Sequence, residues 1–139
     1  MLAYLAVAVG GLIGTGLRLA CDLAFPHGDG EFPVETLIVN LVGSFALGWL
    51  VGGLWTRPTT PRWLRAGLGS GVIGSFTTLS AVMASLLVLT REGEPWLGGV
   101  YLLVSVLGGL ALAAAGLRIG SLLAHRPMPT EITDAGETL

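Results

Sequence analysis

Lysine is missing from this chain, and charge of either sign is scarce. Only 12% of the 139 residues are Asp, Glu, Lys or Arg, where an average soluble protein carries about 25%. Seven arginines are the only basic side chains, and they form no stripe suited to a nucleic-acid backbone, so no nucleic acid is expected as a partner. Cys21 is the single cysteine, which excludes an intrachain disulfide and a cysteine-based metal site. His27 and His125 are the only histidines, and neither has a second ligand at a useful spacing. No Cys–His pair, phosphate-binding loop or buried carboxylate marks an enzyme, and a non-enzymatic role is expected.

What the chain has in excess is apolar sequence and glycine: 53% hydrophobic residues, a mean hydropathy of +0.79 and 22 glycines. Charge is absent from four runs, 1–17, 36–56, 66–90 and 95–117. Each is close to the roughly 20 residues that cross a bilayer as a helix. The pattern predicts an all-α integral membrane protein of four transmembrane helices, over 2–24, 34–55, 62–90 and 95–123. Together they make one membrane domain, 1–124, followed by 125–139 as a short disordered cytoplasmic tail. The first run lacks the basic start of a signal peptide and is rich in glycine, so it reads as a span.

Four spans put both termini and the second connection on one side. Arg57, Arg62, Arg65, Arg118 and Arg126 fall there, against Arg18 and Arg91 opposite. The positive-inside rule then predicts a multi-pass cell-membrane protein with both termini in the cytoplasm. A bias this clear suits a chain that inserts in one orientation.

Polar residues inside the spans are few and therefore informative. The third run centres on Gly-Val-Ile-Gly-Ser-Phe-Thr-Thr-Leu-Ser over 71–80. Small residues of this kind let helices pack closely. They also suit a break in the helix, where freed carbonyls and amides can hold an ion, provided the break lines a cavity or meets protein. In the second span Asn40 is the one strongly polar side chain, with Thr36 a helical turn earlier and Gly43, Ser44 and Gly48 continuing that side. An amide at this depth needs a partner, either as interhelical glue or as a pore donor. Ser105 is the central polar residue of the fourth span. Arg18 and Asp22 stand four apart, as an interfacial ion pair or as the rim of an aqueous vestibule. Gly10 with Gly14, and Gly116 with Gly120, have the spacing of close helix contacts.

Three segments together, Gly-Gly-Leu-Ile-Gly-Thr-Gly-Leu-Arg at 10–18, Thr-Leu-Ile-Val-Asn-Leu-Val-Gly-Ser-Phe at 36–45 and the 71–80 segment, resemble the Fluc/CrcB family of fluoride channels in order and spacing. The resemblance covers about residues 2 to 123. It implies an antiparallel, dual-topology-type dimer of four-helix subunits, the third helix broken near its centre, with two fluoride pores along the subunit interface. It also implies a structural sodium ion, Na+, at the dimer centre, held by backbone carbonyls that by motif belong to Gly74 and Thr77. Asn40, Thr36, Thr78, Ser80, Ser105 and Arg18 match positions along the fluoride path. The expected function is passive: fluoride leaves the cytoplasm down its gradient.

One departure stands out. The family reads Thr-Thr-Phe-Ser-x-Phe, with both phenylalanines lining the pores; here Leu79 and Val82 take those positions, and Phe76, three residues before Leu79, is the aromatic expected on the fluoride path in their stead. Neither aliphatic side chain offers an anion the positive edge of a ring. Together with the fixed orientation, this favours a homologous second subunit over a second copy as the partner. Two other readings stay open: a non-conducting partner subunit, and a small dual-topology multidrug exporter. The exporter needs an ionisable residue at its substrate site, usually a carboxylate in the first span, and there is none before Asp22, near the end of that span.

Overall fold

The computed structural model describes residues 1–25 and 32–124, so the expected disordered tail lies outside the described residues. The described chain is helical: α1 (Leu2–Ala24), α2 (Val34–Gly52) with a 3-10 turn at Leu54–Thr56, α3 (Arg62–Ala66), a π-helical segment Gly67–Ile73, α4 (Gly74–Phe76), α5 (Leu79–Arg91) and α6 (Pro95–Ala124). These make four spans, Leu2–Ala24, Val34–Thr56, Arg62–Arg91 and Pro95–Ala124, each long and apolar enough to cross a membrane. The four-helix expectation holds.

Glycine decides how the spans meet. α2 lies along α6, its most extensive neighbour. A Cβ on Gly48 would collide with the Ala113 carbonyl, on Gly52 with the Leu117 carbonyl, on Gly116 with the Phe45 carbonyl, and on Gly120 with the Trp49 carbonyl. Lipid gives helices no hydrophobic reason to associate, so close backbone approach and dispersion must hold them. Gly10 and Gly14 do the same for α1, facing the Gly67 and Val72 carbonyls of the third span. Both glycine pairs singled out by spacing are therefore contact seams.

The third span is broken where the sequence loosens it. Gly67, Gly69, Gly71 and Gly74 lower the helical preference of its first half, which widens into the π-helical turns. Thr77 and Thr78 are extended, at φ −80°, ψ 154° and φ −151°, ψ 125°. Their β-branched side chains suit that geometry. The Thr77 hydroxyl donates back to the Ile73 carbonyl at 2.9 Å, and the Thr78 hydroxyl accepts from Ala81 N–H at 3.2 Å. Thr78 thus caps α5 while ending the segment before it.

Few side chains are buried. Val82, Leu89 and Tyr101 form a small core with Phe32, Leu37, Leu86 and Leu97, at the end where α2 begins. Phe32 and Tyr101 meet edge to face, centroids 5.4 Å apart. Large apolar side chains such as Leu12, Leu103, Leu107 and Leu110 face outward, as lipid or a partner subunit requires.

Candidate functional site

Asn40 is clasped to the helix break. Its Nδ2 donates to the Thr78 carbonyl at 2.9 Å, and its Oδ1 accepts from the Thr78 N–H at 2.8 Å. The pairing fixes which way the amide faces, because the carbonyl needs a donor and the N–H an acceptor. One N–H of the Asn40 amide remains for another partner. The side chain is therefore both glue and a donor held in a fixed orientation.

The break also frees carbonyls. In an unbroken helix Thr78 N–H would bond to Gly74 and Ala81 N–H to Thr77. Here the first goes to Asn40 and the second to the Thr78 hydroxyl. The Gly74 and Thr77 carbonyls thus lose their helical donors at membrane depth, where unsatisfied acceptors are costly. Carbonyl oxygens suit a hard cation, so the two residues expected to hold sodium fit that chemistry. A Cβ on Gly74 would approach only the Gly69 carbonyl, at 3.5 Å. That position is open on its outer side.

A groove of about 290 Å³ runs past the clasp, between α2, the break, α5 and α6. Asn40, Thr77, Thr78 and Ser105 line it with Gly43, Ser44, Leu79 and Val82. Gly43 is there by necessity, since a Cβ would strike the Thr77 methyl group. The Ser105 hydroxyl is buried without a hydrogen-bond partner, which leaves a donor at the groove wall. The Tyr101 hydroxyl is also buried and unpaired. The Ser85 and Ser105 hydroxyls lie close enough to act on it, without closing a well-formed bond.

The other expected residues are placed around the groove rather than in its wall. The Ser80 hydroxyl pairs with that of Thr78 at 2.9 Å. Phe76 packs under Gly14 and Gly43. Arg18 is half-buried on α1. Thr36 is buried, and its hydroxyl donates to Glu35 Oε1 at 3.0 Å. That proton is committed to a carboxylate. Glu35 is 4% exposed in the first turn of α2. It corrects the expectation that no carboxylate lies buried. A helix N-terminus favours a negative side chain there, and Pro33, just before the helix, marked the start. Tyr101 was also missed; its signal was being the one phenol within the fourth run.

Leu79 and Val82 differ in setting. Leu79 is 72% exposed beside the groove, while Val82 is 5% exposed in the core against Tyr101. Leu79 therefore shapes an open wall, and Val82 fills space inside the subunit.

Residues 5–117 match the model of the family described as CrcB-like protein, Camphor Resistance (CrcB). Among curated proteins, the chain is 44% identical over 118 residues to "Fluoride-specific ion channel FluC" of Xanthomonas euvesicatoria pv. vesicatoria, covering 84% of this chain and 89% of that one. It is 36% identical over 116 residues to "Fluoride-specific ion channel FluC 2" of Geobacillus kaustophilus, covering 83% and 90%. It is 36% identical over 108 residues to "Fluoride-specific ion channel FluC 1" of Desulfitobacterium hafniense, covering 78% and 94%.

Proposed function

This chain belongs to the CrcB family of multi-pass membrane proteins, and from that premise we propose that it is a subunit of a passive, fluoride-selective channel. The observation that carries the reading is the Asn40–Thr78 clasp beside the unpaired Ser105 hydroxyl, on one groove. Fluoride is small and strongly hydrated. A pore must replace its water with donors in fixed positions. Asn40 and Ser105 supply such donors here, and Thr78 adds a hydroxyl whose partner, Ser80, is itself interchangeable as donor or acceptor. Tyr101 extends the row of hydroxyls toward the far end of the bundle.

The groove is open on one side, so a second subunit is needed to complete a pore. The proposed assembly is an antiparallel pair, with the break of each third span at the centre. Gly74 and Thr77 would hold sodium there through their carbonyls. When bound, the ion supplies positive charge and ties the two breaks together. The termini face the cytoplasm, as the arginine distribution favours. Hydrogen fluoride crosses the membrane uncharged and dissociates inside; the channel lets the trapped anion leave down its gradient.

A homologous partner is favoured over self-pairing. Leu79 puts an aliphatic side chain where the family has an aromatic ring, and relatives named "FluC 1" and "FluC 2" occur. The same observation supports the second reading, in which this subunit completes the dimer without conducting. Growth separates the channel from the exporter. Expressed with a homologous subunit in a bacterium stripped of its own fluoride export, the channel is expected to restore growth on fluoride and to leave sensitivity to cationic drugs unchanged. Drug resistance without fluoride resistance would reverse the assignment.

A further inference from the structure

Charge is segregated along the bundle. Among the described residues, Arg57, Arg62, Arg65 and Arg118 lie at the end that carries Met1, while Asp22, Glu35, Glu92 and Glu94 lie at the other with Arg18 and Arg91. No described carboxylate accompanies the first set. At that end a groove of about 350 Å³ opens between the close of α2 and the close of α6, lined by Trp49, Gly53, Leu54, Arg57, Gly120 and Leu123. It exists because Gly53 and Gly120 carry no side chain where the backbones converge: a Cβ on Gly53 would meet the Gly120 carbonyl at 3.2 Å.

The turn that holds Arg57 over this groove is fixed by its own hydrogen bonds. The Thr56 hydroxyl donates to the Gly53 carbonyl at 2.7 Å and the Thr60 hydroxyl to the Leu54 carbonyl at 2.6 Å. The Arg57 carbonyl accepts from Thr60 N–H at 3.1 Å and from Arg65 Nη2 at 3.0 Å. Arg57 itself is exposed, so its guanidinium is free to meet an anion from a well-anchored backbone.

We propose that this groove binds an anionic phospholipid. The headgroup phosphate pairs with Arg57, whose planar fork matches two phosphate oxygens. An acyl chain lies along Trp49, Leu54 and Leu123, of which Trp49 is 40% and Leu123 45% exposed. Trp49 sits where an amphipathic ring favours the headgroup level. Arg62 and Arg118 add attraction for net negative charge, which a zwitterionic lipid answers poorly because its own ammonium is repelled. The apolar walls favour a lipid over free phosphate or the polar tail of this chain.

The test uses the full chain in a neutral detergent, with lipid binding read by native mass spectrometry and by thermal unfolding. Phosphatidylglycerol is expected to bind and raise Tm, while phosphatidylcholine and inorganic phosphate do not. Arg57→Gln is expected to weaken phosphatidylglycerol binding about fivefold, the effect of one arginine near an anionic surface. Arg57→Lys keeps the charge and loses the fork, so it should fall between the two. Arg91→Gln, at the opposite end, should bind as the parent does. Equal binding of the two lipids, unchanged binding by Arg57→Gln, or the same stabilisation by phosphate alone would overturn the proposal. So would phosphatidylglycerol binding that is seen only in Glu131→Gln/Asp134→Asn/Glu137→Gln, because the occupant would then be the chain's acidic tail.

Discussion

At the scale of single residues, stability and conduction are expected to separate. Ser105→Ala removes a hydroxyl that makes no well-formed hydrogen bond, so the fold should keep its melting temperature within about 2 °C. Fluoride flux should fall clearly, because a wall donor is gone. Equal loss of Tm and flux would make Ser105 a packing residue. Asn40→Ala should cost both, since it strips partners from the Thr78 N–H and carbonyl; each buried group left unsatisfied costs about 1–3 kcal/mol. Asn40→Asp keeps an acceptor for the N–H but faces the carbonyl with an oxygen and puts a negative charge on the groove. Its flux should fall below that of Asn40→Ala despite similar insertion, as read by efflux at matched protein density. The Asn40 amide was legible from sequence because a lone polar side chain in an apolar run has to be satisfied. Its partner was not legible: nothing in local spacing says that the amide reaches across 38 residues to a backbone group. Glu35 escaped for a related reason, as a carboxylate next to a prolyl loop reads as solvated until the packing is known.

At the scale of elements, the glycine seams and the break control the architecture. Gly116→Ala places a methyl against the Phe45 carbonyl and should destabilise the α2–α6 pair by about 1–3 kcal/mol, the usual cost of overpacking. Gly16→Ala, with open space around it, should be neutral or slightly stabilising through helix preference. Thermal unfolding of the two in the same detergent checks the contrast, and equal effects would show that the seam tolerates separation. These seams could be read from spacing because small residues four apart on an apolar helix have few other uses. The position of the break was visible in the Gly, Ser and Thr cluster. The π-helical widening of Gly67–Ile73 was not, since glycine density lowers helix preference without choosing between helix types. At Gly74 a methyl has room, so Gly74→Ala should fold and insert normally. The freed carbonyl would remain, so the stabilisation by sodium that the proposed site predicts should be seen in this variant too; a bulkier side chain there should weaken it by crowding the carbonyls.

At the scale of the whole molecule, the four helices and the membrane setting were legible because 20-residue uncharged runs leave a chain little alternative. The proposed second subunit was less so. An outward face of leucines looks alike whether it meets lipid or protein, and only the open groove beside Asn40 and Leu79 says that something polar must be enclosed. Leu79, where the family resemblance leads one to expect an aromatic ring, then bears on which partner is proposed to enclose it. Leu79→Phe is expected to raise flux through the groove of this subunit if its wall needs a ring edge, read against the parent in the same dimer.

The most direct measurement is fluoride efflux from liposomes, followed with a fluoride electrode, for the chain alone and together with a homologous subunit as the proposed partner. The account predicts rapid efflux from the mixed dimer, no accompanying chloride leak, and a marked drop when Asn40→Asp is carried by this subunit. Folded, inserted protein that releases no fluoride in either preparation would contradict the channel reading, and efflux indifferent to Asn40 would move the path away from the clasp.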